Sequence, residues 1–210
     1  MPTISNPRRS LLALSALSTV ALVSPSVFAD LLRTPSMTEG PFYPREMPLD
    51  DDNDLTRVRG QSGVAKGELL DFAGRVVDEK GRPVRNALVE IWQCNAFGVY
   101  HLAGDSGRMD PNFQGFGKVA TDSEGRYRFR TIKPVAYSGR TPHIHYKVKS
   151  REFREFTSQV LIAGDPGNER DFVFRSIRSA EERKRITMEL KPAAPDSGVA
   201  LKTEFEIVVG

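Results

Sequence analysis

The sequence predicts an all-β protein: a two-sheet antiparallel sandwich with long loops to carry any active site and one short helix. Three observations carry that reading. The 17 Gly and 14 Pro among 210 residues call for many turns. From residue 67 onward, short runs rich in β-branched and aromatic residues recur between turn-forming clusters. In the last run, Leu201, Thr203, Phe205, Ile207 and Val209 alternate with Lys202, Glu204 and Glu206, the period of a half-buried strand.

Residues 1–29 read as a signal peptide of the twin-arginine type. Arg8 and Arg9 precede an apolar run, Leu11 to Val23, and Val27-Phe28-Ala29 ends in a small residue suited to cleavage. That run has 13 residues, whereas a membrane span needs about 20. Ser15, Ser18 and Thr19 keep it only mildly apolar. The expected destination is the periplasm or the exterior, reached already folded. Residues 30–66 hold few periodic segments and form an N-terminal arm. Its acidic run, Asp50-Asp51-Asp52-Asn53-Asp54, lacks the Gly and Glu spacing of a calcium loop and reads as a solvated loop.

Residues 67–210 form the sandwich domain. Leu69 to Val77 reads as a strand, Asp78 to Pro83 as a turn and Ala87 to Trp92 as the next strand. The stretch 95–116 is a glycine-punctuated loop. Lys118 to Thr121 and Arg126 to Arg130 flank Asp122-Ser123-Glu124-Gly125, which reads as a hairpin turn. His143 to Val148 and Ser158 to Ala163 are later strands. Ser179 to Arg185 is the short helix, with Ser179 as its N-cap.

Composition excludes several classes. Hydrophobic residues at 39% and charged residues at 27% describe a folded globular chain rather than a disordered one. Without Arg8 and Arg9 the formal charge falls from +3 to +1, which leaves no nucleic-acid or membrane-surface footprint. One cysteine, Cys94, excludes an intrachain disulfide and any Cys-rich metal site, and it reads as a buried strand residue.

Thr141-Pro142-His143-Ile144-His145-Tyr146 is the sharpest chemical signal. Strand residues two apart face the same side, so two imidazoles there can share one metal while Ile144 points into the other layer. A two-His-one-carboxylate Fe(II) site would need one acid from elsewhere. Tyrosines offer another donor set, since a hard trivalent cation holds a phenol deprotonated at neutral pH. Tyr127 reads as core, and Tyr146 faces away from His145. Tyr100 and Tyr137 sit in loops beside Gly98 and Gly139, unusual places for core tyrosines.

Val89-Glu90-Ile91-Trp92-Gln93-Cys94-Asn95-Ala96-Phe97-Gly98-Val99-Tyr100 resembles the signature of intradiol ring-cleavage dioxygenases. Asp110 to Gly117, Thr121 to Gly125, Arg130 to Pro134 and Pro142 to His145 resemble the catalytic chain of that family's protocatechuate branch. Thr38-Glu39-Gly40-Pro41-Phe42-Tyr43 resembles its pocket-entrance segment. The resemblance implies a non-haem Fe(III) held by Tyr100, Tyr137, His143, His145 and a hydroxide. It implies that Tyr137 acts as a base and that Arg140 and Gln159 line the pocket, with Thr38 and Pro41 touching substrate. The expected reaction cleaves a catechol between its hydroxylated carbons with O2 to a cis,cis-muconate-type diacid. The expected partners are thus a catechol-type molecule and O2, and a homo-oligomer is compatible with the sequence. The segment between Tyr137 and His143 is shorter than in the protocatechuate branch, with Ser138 and Gly139 in place of an aromatic. The competing reading is a non-catalytic transthyretin-like sandwich module, which shares the turns at Asp78 to Pro83 and Thr121 to Gly125. Such a module has no use for two loop tyrosines and a His-x-His.

Overall fold

A computed structural model describes residues 30–210, so the twin-arginine segment lies outside the described residues. Among the described residues, nine strands form two layers. The four-stranded sheet has the order β4 (Arg126–Ile132), β1 (Leu69–Asp78), β9 (Leu201–Val209), β8 (Lys191–Pro192). The five-stranded sheet has the order β3 (Phe116–Ala120), β2 (Leu88–Trp92), β5 (His143–Lys149), β6 (Phe156–Ile162), β7 (Thr187–Met188). Among the described residues, no helix is long and apolar enough to cross a membrane.

Both sheets are mixed, which corrects the antiparallel expectation. β9 runs parallel to β1 from Leu70↔Leu201 to Asp78↔Val209, and β7 runs parallel to β6. Only tight turns force neighbouring strands to reverse, and both parallel pairs are joined through long stretches of chain. The Asp122–Gly125 turn forms, with the Gly125 N–H donating to the Asp122 carbonyl at 3.0 Å, yet it is no hairpin within one sheet. β3 enters the five-stranded sheet and β4 the four-stranded one, so the chain changes layer there. Gly125 permits the crossing: at φ 71°, a Cβ would lie 2.5 Å from the Val76 carbonyl oxygen.

Among the described residues, two α-helices are present where one is expected. Ser179 caps α2 (Ala180–Lys184), its Oγ accepting from the Glu182 N–H at 3.3 Å. The unexpected α1 (Phe172–Ser176) is capped by Asp171, whose Oδ1 accepts from Val173 N–H and Phe174 N–H at 2.9 and 3.0 Å. Five residues are too few to display a 3.6-residue period.

Phe72, Ile91, Ile144, Tyr146, Val160, Phe205 and Ile207 pack between the sheets. Tyr127 is part of this core, its hydroxyl donating to the Phe205 carbonyl at 2.7 Å. The acidic run of the arm is more than solvated loop. Asp54 bridges to Arg130, and the Asp52 carboxylate accepts from Asp54 N–H and the Gln114 amide.

Candidate metal centre

The outer face of the five-stranded sheet, opposite the core, carries the site. Register aligns one row across four strands: Phe116 opposite Trp92, Trp92 opposite His145, His145 opposite Gln159. His143 lies two residues before His145 on the same face, and both are 1% exposed. Ile144 and Tyr146 between and beyond them point into the core, as the strand period requires.

Two loops bring the tyrosines over this row. Tyr100 follows the turn at Gly98, and a Cβ on Gly98 would come 3.1 Å from the Tyr137 Cβ, so glycine lets the two loops approach. Ser138 and Gly139 both have positive φ, 41° and 76°. They form a two-residue turn in which Arg140 N–H donates to the Tyr137 carbonyl at 2.7 Å and Tyr137 N–H to the Arg140 carbonyl at 3.2 Å. The shortened segment read from the sequence is this turn, and it sets Tyr137 and Arg140 side by side.

Four donors converge. His143 Nε2 lies 3.1 Å from His145 Nε2 and 3.5 Å from the Tyr137 hydroxyl. The Tyr100 ring lies 5.1 Å from that of Tyr137 and 6.1 Å from that of His145. His143 Nδ1 donates to the Thr141 carbonyl at 2.6 Å, which leaves its Nε2 lone pair turned towards the cluster. The Tyr100 hydroxyl and His145 Nδ1 are buried without a hydrogen-bond partner. Burial first, then the Arg140 charge, lowers His143 to about 4, and burial with His143 beside it pushes His145 well below its ordinary value. Both imidazoles are therefore neutral. Burial lifts Tyr100 well above the ordinary phenol value; burial also raises Tyr137, offset in part by the Arg140 charge.

This set fits a hard cation. Two nitrogens bound side by side to one ion through bonds of about 2.1 Å lie about 3 Å apart, as the two Nε2 atoms do. Two neutral imidazoles are ready ligands, and buried phenols with an orphaned hydroxyl lose their protons only to a strong positive field. Among the described residues, no cluster of three or more His, Cys, Asp or Glu could hold a metal, so the two-His-one-carboxylate alternative lacks its acid.

The arm closes over the face. Met37 N–H donates to the Thr157 carbonyl at 3.0 Å, and Gln159 Nε2 donates to the Thr38 carbonyl at 2.9 Å. Lys147 pairs with Glu39, and Gly40 passes against His145, where a Cβ would meet Cε1 at 3.6 Å. Phe42 stacks on Tyr100 with ring centroids 4.4 Å apart and meets Tyr137 edge-on. Tyr43 donates to the buried Glu90 carboxylate at 2.8 Å, which Lys149 also pairs. Thr38 and Pro41 are exposed on this segment, Thr38 reaching Gln159 through its backbone.

Gln159 and Asp171 hold Arg140 beside this cluster. Its Nη2 donates to Gln159 Oε1 at 2.7 Å and its Nε to Asp171 Oδ2 at 2.7 Å. Burial alone would raise the Asp171 carboxyl, but the Phe174 N–H, the Arg140 guanidinium and the Thr141 N–H hold it below its ordinary value. Sequence reasoning brings together Tyr100, Tyr137, His143, His145, Arg140 and Gln159. It misses Phe42, Trp92 and Asp171 as parts of the site. The alternation of β2 already placed Trp92 on the face opposite Ile91. Asp171 left only the weak cap signal of an Asp before Phe172-Val173-Phe174.

A family model described as Dioxygenase matches residues 38–209. The chain is 40% identical to the protocatechuate 3,4-dioxygenase beta chain of Burkholderia cepacia, over 75% of this chain and 71% of that one. It is 36% identical to catechol 1,2-dioxygenase 2 of Acinetobacter lwoffii, over 72% of this chain and 62% of that one, somewhat under two thirds of the relative's length. The fold is similar to the dioxygenase domain of a dioxygenase carbohydrate-binding protein fusion from Streptomyces sp. SirexAA-E. That likeness has a TM-score of 0.64 at 25% identity and covers 84% of this chain and 97% of that domain.

Proposed function

This chain belongs to the intradiol ring-cleavage dioxygenase family, and on that premise we propose that it cleaves a catechol-type ring between its two hydroxylated carbons with O2. The observation that carries the reading is the convergence of two phenols and two neutral imidazoles on one buried point, with the Tyr100 hydroxyl left unpartnered. We assign Tyr100, Tyr137, His143 and His145 as ligands of Fe(III). Bound there, Fe(III) would supply a hard Lewis acid for the oxygens of a catechol.

The chain's residues do the rest. Tyr100 is 3% exposed and packed under Phe42, which suits a permanent anionic donor. Tyr137 is only half-buried, and in this reading its phenolate oxygen takes a proton from a substrate hydroxyl. The guanidinium of Arg140 is the donor for negative charge that builds on the substrate. Gln159 holds that guanidinium and the Thr38 carbonyl together, and so ties the pocket to its entrance. Phe42 covers Tyr100 and the backbone at Gly40 lies over His145, which keeps water from these donors. A transthyretin-like binding module would leave all four donors without a purpose.

The protein is proposed to act outside the cytoplasm, exported folded by the twin-arginine route through residues 1–29. The test of the iron assignment is colour and stoichiometry: the purified protein is red-brown from phenolate-to-iron charge transfer, with about one iron per chain. A well-folded protein that stays colourless after loading with iron under aerobic conditions overturns it.

A further inference from the structure

Asp171 is 0% exposed and makes four hydrogen bonds, divided between its two oxygens. Oδ1 caps α1 through the N–H groups of Val173 and Phe174. Oδ2 accepts from Arg140 Nε at 2.7 Å and from Thr141 N–H at 3.0 Å. The Thr141 carbonyl in turn accepts from His143 Nδ1 at 2.6 Å. On the other side, Arg140 Nη2 reaches Gln159, and Gln159 reaches Thr38. One continuous hydrogen-bonded chain thus runs from the entrance segment through Arg140 and Asp171 to His143, with Asp171 as its single negative charge.

Three consequences follow from the chemistry. A guanidinium held at Nε and one Nη2 proton is fixed in plane, so its remaining donors have one direction. Its charge is matched by a carboxylate that is itself buried, so Arg140 offers hydrogen bonds rather than a free cation. The two lysines on the same face of β5, Lys147 and Lys149, are already paired, Lys147 with Glu39 and Glu155 and Lys149 with Glu90. A ring substituent that brings a second carboxylate would face Arg140 with Asp171 behind it.

We propose that Asp171 is the positioning residue of this pocket, holding Arg140 as an oriented, charge-matched donor and thereby making uncharged catechols, rather than carboxylated ones, the substrate class. The proposal rests on the dioxygenase reading above.

The test uses the iron-loaded protein with catechol and 3,4-dihydroxybenzoate as the two probes. The wild-type kcat/KM for catechol exceeds that for 3,4-dihydroxybenzoate by about tenfold or more, the scale of one charge-assisted contact. Asp171→Asn keeps an oxygen for the α1 cap but turns an amide N–H2 towards Arg140 and Thr141. It lowers kcat/KM for catechol by about tenfold or more, and it shrinks or inverts the ratio between probes because the Arg140 charge is released. In an Arg140→Gln background the same substitution has little further effect, since the two residues act as a unit. An unchanged probe ratio, a full additional loss in the Arg140→Gln background, or a wild type that prefers 3,4-dihydroxybenzoate overturns the proposal. The last result would move the substrate contact to Arg170, which lines the cleft beside Ser138 and Gly139. If Asp171→Asn does not fold, nitrogen NMR of the metal-free wild type decides: the Arg140 Nε proton exchanges slowly if Asp171 holds it, and rapid exchange overturns the proposal. A wild type that opens neither ring refutes the dioxygenase reading instead, and leaves the NMR result to judge the positioning by itself.

Discussion

The Trp92 indole lies flat on the His145 imidazole, with ring centroids 4.9 Å apart and planes inclined by 13°. Their pairing in β2 and β5 produces this contact, because directly opposed residues on one sheet face are neighbours. The stack orients an imidazole whose Nδ1 has no hydrogen bond to fix it. Trp92→Leu should cost the metal-free protein about 3 kcal/mol of stability, the scale of truncating a buried aromatic. It should also weaken iron retention about tenfold, as losing a ligand's orienting partner does. Denaturant unfolding and chelator competition measure the two effects separately.

The two tyrosines should separate by phenotype. Tyr100→Phe removes the more deeply buried donor, so it should lower iron retention and bleach most of the visible absorption. Tyr137→Phe should keep the iron but slow catechol association by about a hundredfold, the contribution of one positioned base. Stopped-flow absorbance reads both. Unaltered association in Tyr137→Phe would show that this hydroxyl accepts no proton, and Tyr146 offers no substitute, being wholly within the core.

Acid should destabilise the metal-free protein in a defined window. His143 titrates near 6.5 when unfolded and at about 4 when folded, because burial opposes its charge. The unfolded state therefore binds more protons between those values, and stability falls as pH drops through them. Each unit of pH in that window costs about 1.4 kcal/mol for one such group. Above about pH 6.5 the effect is absent. Urea unfolding at pH 7 and pH 5 should show a loss of about 2 kcal/mol from His143, with His145, pushed down by the same burial, adding in the same direction. His143→Asn should make the dependence shallower and leave the His145 share.

The sandwich was legible because turn residues and period-two strands are local signals. The His143 and His145 pair was legible for the same reason, since a strand puts alternate residues on one face whatever else surrounds it. Tyr100 and Tyr137 stood out by position, as aromatic side chains beside loop glycines. The parallel pairing of β1 with β9 was not legible, because strand direction across a long connection depends on the whole fold. Asp171 was hidden because its helix is only five residues long and its partner, Arg140, lies 31 residues away. Phe42 lies within the entrance motif, but its stacking on Tyr100 depends on how the arm lies across the sheet.

Export should depend on the arginine pair. Arg8→Lys combined with Arg9→Lys should block passage to the periplasm while the retained protein still binds iron. Fractionation with an iron assay of each fraction checks this, and unchanged export would indicate the general secretory route.

The identity of the ring-opened product tests the central claim most directly. Purified, iron-loaded protein is given catechol under oxygen while O2 uptake is followed, and the product is identified by mass and absorbance. The account predicts cis,cis-muconate, with one O2 consumed per ring and both of its atoms in the diacid. A semialdehyde from cleavage beside the hydroxylated carbons, or no oxygen uptake by a folded and iron-loaded protein with any catechol, would contradict it.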